Sequence, residues 1–443
     1  MRVRMHGMLL EDEWEKVGLT LLASDDDRTI VLFSSQGDLS AFLERLEAYD
    51  NPIPVGQQGR RYEGFVSRID EVGTLEPRDR LGTRIKEAGF TEAADLEDEA
   101  VLTVDIELWD FGTRFARERK AREVEDFISA QGDEVFDTYI GPSITLIRAK
   151  AHGKTLRPLL SVPEVAFVDL PPEPDIQAAE LVELQLEDAP TGLAPDEEAP
   201  IVGVLDSGIN DHPLLEAAIL GRVAFPAELG TADVWGHGTR VSGAALYGDL
   251  RDLLREDQIK PIARLVSAKL VGDDGRFYER RTLPTQMDQA IRGLWQDYGC
   301  RIFVVALGDL RARNEPGRVG PWAATLDELA RELDVLILVS AGNRPPGGGS
   351  LLEQAITHYP KYLLEAANRV CEPAGAIMSS QWDRLRTGQV SALDINRTPM
   401  CSRSPNDLSL RPSLGQALVR QAFSSRILSR LAAQWCSMRR LPA

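Results

Sequence analysis

Hydrophobic and polar positions follow two different patterns along this chain. Over residues 1 to 170, apolar runs such as TIVLFSS and VLTVDIELW read as strands, while AFLERLEAYD and FARERKAREVEDFISA carry the spacing of amphipathic helices. A further strand in SITLIRAKA, a short helical stretch and the run VAFVDL complete the region. This order predicts a small α+β unit, a sheet covered by helices on one face. From Ile201 onward the strands lose their alternation: IVGVL, RLVSAKLV, RIFVVAL and VLILVS are apolar almost throughout. Between them lie helical stretches starting near His237, at PTQMDQAIRGLWQDYG and at PWAATLDELARELD. In the second of these Met287, Ala290, Ile291, Leu294 and Trp295 share one face. Strands without alternation, separated by helices, predict a parallel sheet buried on both sides, with function at the carboxyl ends of its strands.

Between these regimes, residues 171–200 are rich in Pro and acid at both ends, the composition of an exposed linker with one short strand or helix inside it. The expected organisation is an α+β region over 1–170, the linker, a parallel-sheet α/β domain over 201–375, and a tail over 376–443. That tail holds ten Arg and three Asp and neither Lys nor Glu, in a chain whose formal net charge is -19. The acidic total argues against nucleic acid or an anionic membrane as a general partner. The opening MRVRMHGMLLEDEWEK meets acidic residues before any apolar run long enough for a secretory signal, and no later run reaches the length of a membrane span. A cytoplasmic location is expected. Cys300, Cys371, Cys401 and Cys436 lack metal-ligand spacing and are too few for a disulfide scaffold, which predicts reduced thiols.

Three residues of the α/β region have the chemistry of a catalytic site. Asp206 ends the run IVGVL, where a carboxylate can orient a neighbouring imidazole and stabilise its protonated form. Alone it equally suits a metal or phosphate site. His237 lies in WGHGTRVSGAALYG, whose small residues let the start of a helix pack closely on a sheet, and it serves equally as a helix-packing histidine. Asn343 follows VLILVS in the turn Ala341-Gly342-Asn343, from which a side-chain amide can donate to a developing oxyanion; as a turn residue it needs no function.

Taken together, VLDSGI, GHGT and SAGN, in the order Asp, His, Asn, resemble the subtilase family of serine proteases. The resemblance implies that Asp206 orients His237, that His237 is the general base and that Asn343 is the oxyanion donor. RIFVVALG resembles the family's substrate-lining strand, which brings in Leu307 and Gly308, although Ala306 stands where the family usually has Ser. The implied fold is α/β, a parallel-sheet subtilisin-like catalytic domain preceded by a smaller α+β propeptide-like region ending at VPEVAFVDL. At almost double the usual propeptide length, that region also fits a permanent regulatory or recruiting domain. The implied substrate is a protein or peptide, with no cofactor; structural Ca²⁺ stays open. Bacterial subtilases with such long amino-terminal regions are sometimes encoded beside ATPases of the AAA type, which places such an ATPase among the implied partners.

The family pattern then breaks. A subtilase needs a Gly-Thr-Ser segment opening a helix, and none follows Asn343; Ser404, Ser409 and Ser413 lie in SPNDLSLRPSLGQA, without the Gly-Thr turn. The catalytic domain is therefore expected to be incomplete and this chain inactive. One reading of the basic tail is a partly disordered segment, and a sharper one is translation in a displaced frame from near Ile377. The codons of Met378 through Asp383 permit Val-Val-Thr-Val-Gly in that frame, the strand and Gly expected after the Asn343 loop. Two other functions remain open: a non-catalytic pseudoprotease that binds peptides, and a phosphohydrolase using Asp206 and Asp211 with Mg²⁺.

Overall fold

The computed structural model describes residues 2–6, 11–24, 29–33, 39–51, 59–73, 75–176, 190–248, 253, 256–313, 319–340 and 369–376. Two compact units divide it near Pro171 and Pro172.

The first unit, read from its sequence around one small sheet, carries two among the described residues. Strands β1 (Arg2–Met5), β2 (Thr20–Ser24), β3 (Thr29–Phe33) and β4 (Ile69–Gly73) form an antiparallel sheet in the order β2-β3-β1-β4. Its small core gathers Val3, Trp14, Leu19, Phe42 and Phe65. The second sheet contains β5 (Val101–Leu108), β6 (Glu134–Ile140), β7 (Thr145–His152) and β8 (Val165–Asp169) in the order β6-β7-β5-β8, again antiparallel. Helices Arg114–Ala130 and Gly153–Leu159 link β5 to β6 and β7 to β8, which makes a βαββαβ unit. The longer helix starts where Thr113 Oγ1 accepts a hydrogen bond from the Ala116 N–H. It buries Ala121, Val124 and Ile128, one stripe of the predicted amphipathic pattern, against Val104, Ile106 and Ile147. Asp105, out of phase with Val104 and Ile106, is paired across strands with Arg148; both are buried, and the guanidinium donates two 2.7 Å hydrogen bonds to the carboxylate. Removing either partner would leave a buried charge uncompensated, at a cost of about 3–5 kcal/mol.

The second unit is built on β10 (Ile201–Asp206), β11 (Ile219–Ala224), β13 (Arg264–Lys269), β14 (Ile302–Val305) and β16 (Leu336–Val339), in the order β11-β13-β10-β14-β16. All four pairings are parallel. Four of these strands are the predicted apolar runs. The fifth, β11, was not predicted: as an edge strand it exposes Leu220 and carries Arg222, so its sequence ILGRVA lacks a continuous apolar signal. Helices Leu283–Tyr298 and Pro321–Leu333 bury Met287, Ala290, Ile291, Leu294, Trp322 and Leu326 in the core that includes Leu205, Phe303 and Val305, and Trp295 packs at its margin. Helix His237–Tyr247 buries Ala245, Leu246 and Tyr247 in a separate core with Val202, Val204 and Leu265. Along β10 successive residues thus serve different cores, which is why these strands show no alternation of apolar and polar residues. From β10 the chain passes to the edge strand β11, returns inward to β13 and then crosses β10 to β14 and β16, so the connections leaving the neighbouring strands β10 and β13 run in opposite directions and the switch point lies at β10. Its carboxyl end is where ligands of such sheets bind.

The predicted linker is described only in part. Residues 172–176 lie against Gly308 and Asp309, and β9 (Thr191–Gly192) pairs with β12 (Gln258–Ile259); residues 177–189 are outside the described set. Among the described residues no helix is long and apolar enough to cross a membrane. Short strands β15 (Asp309–Arg313) and β17 (Cys371–Glu372) form an antiparallel pair beside the main sheet. Glu372 Oε1 accepts a 3.1 Å hydrogen bond from the Trp322 N–H, which places a carboxylate at the start of helix Pro321–Leu333, the end the helix dipole favours.

Candidate active site

Asp206 is the last residue of β10 and is fully buried. After β11 the chain returns as helix His237–Tyr247, whose first residue is His237. The approach is close because Gly238 follows: a Cβ there would lie 2.1 Å from the Gly208 carbonyl oxygen, so the packing expected from the small residues of this motif depends on hydrogen at that position. His237 Nδ1 then lies 2.7 Å from Asp206 Oδ1. A carboxylate only accepts, so Nδ1 carries the proton and Nε2 is left as the basic nitrogen. Burial by itself would push the imidazole pKa down. The hydrogen bond and charge of Asp206, with a smaller contribution from Asp233, outweigh burial and the nearby Arg240 and hold it above the usual histidine value.

A second buried acid, Asp233, organises this contact and was not singled out from the sequence. Its Oδ1 accepts from the Ser207 hydroxyl at 2.7 Å, and its Oδ2 accepts from the Thr239 N–H at 2.8 Å and from the Thr239 hydroxyl at 2.7 Å. The Gly238 N–H donates to Ser207 Oγ at 3.0 Å, and Asn210 exchanges hydrogen bonds with the backbone of Asp233 in both directions. The turn after Asp206 and the first turn of the helix are therefore laced through one carboxylate. The only signal in the sequence is an acid four residues before the histidine. Lys269, at the end of β13 and in register with Asp206, is also buried, and its ammonium donates to the Ala232 carbonyl and the Asp273 carboxylate.

Leu307 and Gly308 follow β14. The Leu307 side chain is fully buried, which leaves backbone as what this segment can present, and the Gly308 carbonyl accepts a 2.7 Å hydrogen bond from the Asp175 N–H. Asn343, Ala341 and Gly342 lie outside the described residues, as do Ser404, Ser409, Ser413 and the tail beyond Ala376. Asp211, the second acid of the phosphohydrolase reading, is exposed and paired with Arg222 at 2.8 Å. Among the described residues no group of three His, Cys, Asp or Glu side chains is placed to hold a metal ion. Burial pushes the Cys300 thiol up to about 12, which leaves it without nucleophilic character at neutral pH.

Residues 1–76 match the Y4kK N-terminal domain, residues 79–170 the Y4kK central domain and residues 197–363 the Subtilase family. The uncharacterized protein y4kK of Sinorhizobium fredii is 47% identical over 221 residues, 50% of this chain and 71% of that protein. A second Sinorhizobium fredii protein, y4bN, is 60% identical over 95 residues, 21% of this chain and 22% of its own length, so the match spans under a quarter of that relative. Among solved structures, a phospho-2-dehydro-3-deoxyheptonate aldolase from Thermotoga maritima covers 56% of this chain and 71% of its own, with 10% identity and a TM-score of 0.14, a likeness too slight to bear on fold or function.

Proposed function

Because the chain belongs to the y4kK family and carries a subtilase domain over residues 197–363, we propose that it descends from a serine endopeptidase and keeps that enzyme's acid and base without its nucleophile. The observation that carries this reading is the 2.7 Å contact between His237 Nδ1 and the buried Asp206 carboxylate at the carboxyl end of the switch-point strand. In the proposed chemistry, Nε2 of His237 takes the proton of a serine hydroxyl as it attacks a peptide carbonyl, and Asp206 holds the ring and stabilises the imidazolium. Asn343 donates to the oxyanion, and the backbone of Leu307 and Gly308 lines the bound peptide. Residues 344–443 hold no Gly-Thr-Ser segment, and on this reading the residues present hold a peptide in the site without supplying the nucleophile that would cleave it. The βαββαβ region that closes on β8 serves as a propeptide-like or retained regulatory module.

The test begins with the gene. Reading all three frames past codon 377 is expected to reveal Gly-Thr-Ser followed by small residues in the displaced frame, while the present chain is expected to resist a fluorophosphonate probe. The displaced-frame product should react with that probe, and its H237A variant should lose about 10⁶-fold in turnover. If no frame holds the segment, the tail is genuine and the chain is a pseudoprotease by descent. Labelling of the present chain would overturn its proposed inactivity.

A further inference from the structure

We propose that Lys269 is a positioning residue of this site: its buried ammonium fixes the peptide group between Ala232 and Asp233 and thereby holds the Asp233 carboxylate against the first turn of the His237 helix. The inference rests on the reading of Asp206 and His237 as a retained acid and base, and adds to it a residue outside the motifs that carry that reading.

The register between β10 and β13 pairs Val202 with Leu265, Val204 with Ser267 and Asp206 with Lys269. Side chains two apart on a strand share a face, so Lys269 falls on the face where Val202, Val204 and Leu265 meet the helix that begins at His237. An ammonium in such a place is costly unless it is hydrogen-bonded. That of Lys269, in a residue 1% exposed, directs two of its three N–H groups to named partners. One goes to Asp273 Oδ1 at 2.6 Å, on a side chain 66% exposed at the rim. The other goes inward, to the Ala232 carbonyl at 2.7 Å. An apolar side chain of similar length would fill the space without burying a charge, so the inward contact is what the lysine supplies.

The Ala232 oxygen belongs to the same peptide group as the Asp233 N–H, which donates to Asn210 Oδ1 at 3.0 Å. This planar group is therefore held at both ends, by Lys269 at its oxygen and by Asn210 at its nitrogen. Asn210 alone would leave it free to turn about one hydrogen bond. With the plane fixed, the Asp233 side chain leaves it in one direction and reaches Ser207 on one side and Thr239 on the other. Those two residues adjoin Asp206 and Gly238, so placing Asp233 places the turn after the acid relative to the helix of the base. The fit is close: a Cβ on Gly208 would lie 2.6 Å from the Thr231 oxygen and 3.0 Å from the Ala232 oxygen. Because the Asp233 charge helps to hold the imidazole pKa up, against burial and Arg240 and beside the larger effect of Asp206, its placement can be read at the ring.

The test reads the imidazole and not hydrolysis, so failure here and failure of the proteolytic reading are separable. In the full chain with ¹³C-labelled histidine, His237 being assigned by its loss in H237A, K269M should lower the His237 pKa to about the value found in D233N. K269M added to D233N should lower it no further. A direct action of the ammonium charge on the ring would instead raise the pKa in K269M and persist in the D233N background. Either of those results, or an unchanged His237 in a K269M chain whose other amide signals keep their shifts, would overturn the proposal. D273N removes the rim partner and leaves the Ala232 contact, so it should leave His237 where it was; a fall as large as that in K269M would move the role to the Asp273 side and sink the idea. Because K269M can fail to fold, the contact is also read in the unaltered chain, where a scalar coupling is expected across the hydrogen bond from Lys269 ¹⁵Nζ to the Ala232 carbonyl carbon. Absence of that coupling would overturn the proposal by itself.

Discussion

The chain contains two histidines built into nearly the same local arrangement, one in each unit. His237 Nδ1 is 2.7 Å from the buried Asp206, and His152 Nδ1 is 2.5 Å from the half-buried Asp133. Each histidine sits at the start of a helix, His237 as its first residue and His152 as its N-cap. Each is followed by a glycine whose Cβ would strike a backbone oxygen, at 2.1 Å for Gly238 and 2.0 Å for Gly153. The difference lies in the surroundings. Asp206 ends the switch-point strand of a parallel sheet and has Asp233 laced in beside it. Asp133 follows the helix Arg114–Ala130 in an antiparallel unit, where it also accepts from the backbone N–H of His152 and so ties the end of β7 in place. A histidine paired with a carboxylate is therefore no active site in itself; position at the strand ends of a parallel sheet is what gives the first pair a use.

The largest effects should come from the glycines, and they should be equal. Gly238→Val and Gly153→Val each force a side chain into backbone and are expected to cost about 3 kcal/mol or more, read as a lower urea midpoint of the unit concerned. A fully stable variant of either would show that the close approach is not required. Next in size is the response of His237 to its acid. In Asp206→Asn the opposing charge is gone and burial acts alone, so the His237 pKa, followed by NMR, should fall below the ordinary histidine value; Asp133→Asn should leave it where it was.

The two pairs should also respond to different ends of the pH scale. The His237 pKa is raised, so its pairing contributes stability below 6.5 and loses it as pH rises through the folded value. Burial would raise the pKa of Asp133, but the hydrogen bonds and charge of its neighbours, His152 among them, outweigh burial and lower it. Its contribution is therefore present above 3.8 and is lost as pH falls through the lower folded value. Urea unfolding of the wild type minus D206N should change with pH on the neutral side, and wild type minus D133N in acid. The reverse pattern would contradict both assignments. The smallest effect belongs to Asp233→Asn, which should lower the His237 pKa less than Asp206→Asn does, because Asp233 acts on the ring through charge alone.

Much of the second unit is legible along the chain because its strands, buried on both faces, are apolar almost throughout, and its helices carry a clear stripe. The same rule fails at β11, an edge strand with exposed positions, and at β1 and β17, whose few residues are too short to show any period. At the site, Asp206 and His237 stand out because each occupies a recognisable local motif. Ser207, Asp233 and Thr239 do not, since their role exists only where two turns of chain meet.

Local periodicity and motif order were enough to determine the α/β character of residues 201–339, the residues at its strand ends and the absence of a Gly-Thr-Ser segment after Asn343. Tertiary structure alone decided that Asp233 laces the turn after Asp206 to the helix of His237, that His152 and Asp133 repeat the arrangement in the other unit, and that residues 172–176, acidic and proline-rich like a linker, lie along Gly308 and Asp309. The reason is range: periodicity reports how each residue faces its own helix or strand, whereas these contacts join residues separated by 6 to 136 positions and depend on how whole elements pack.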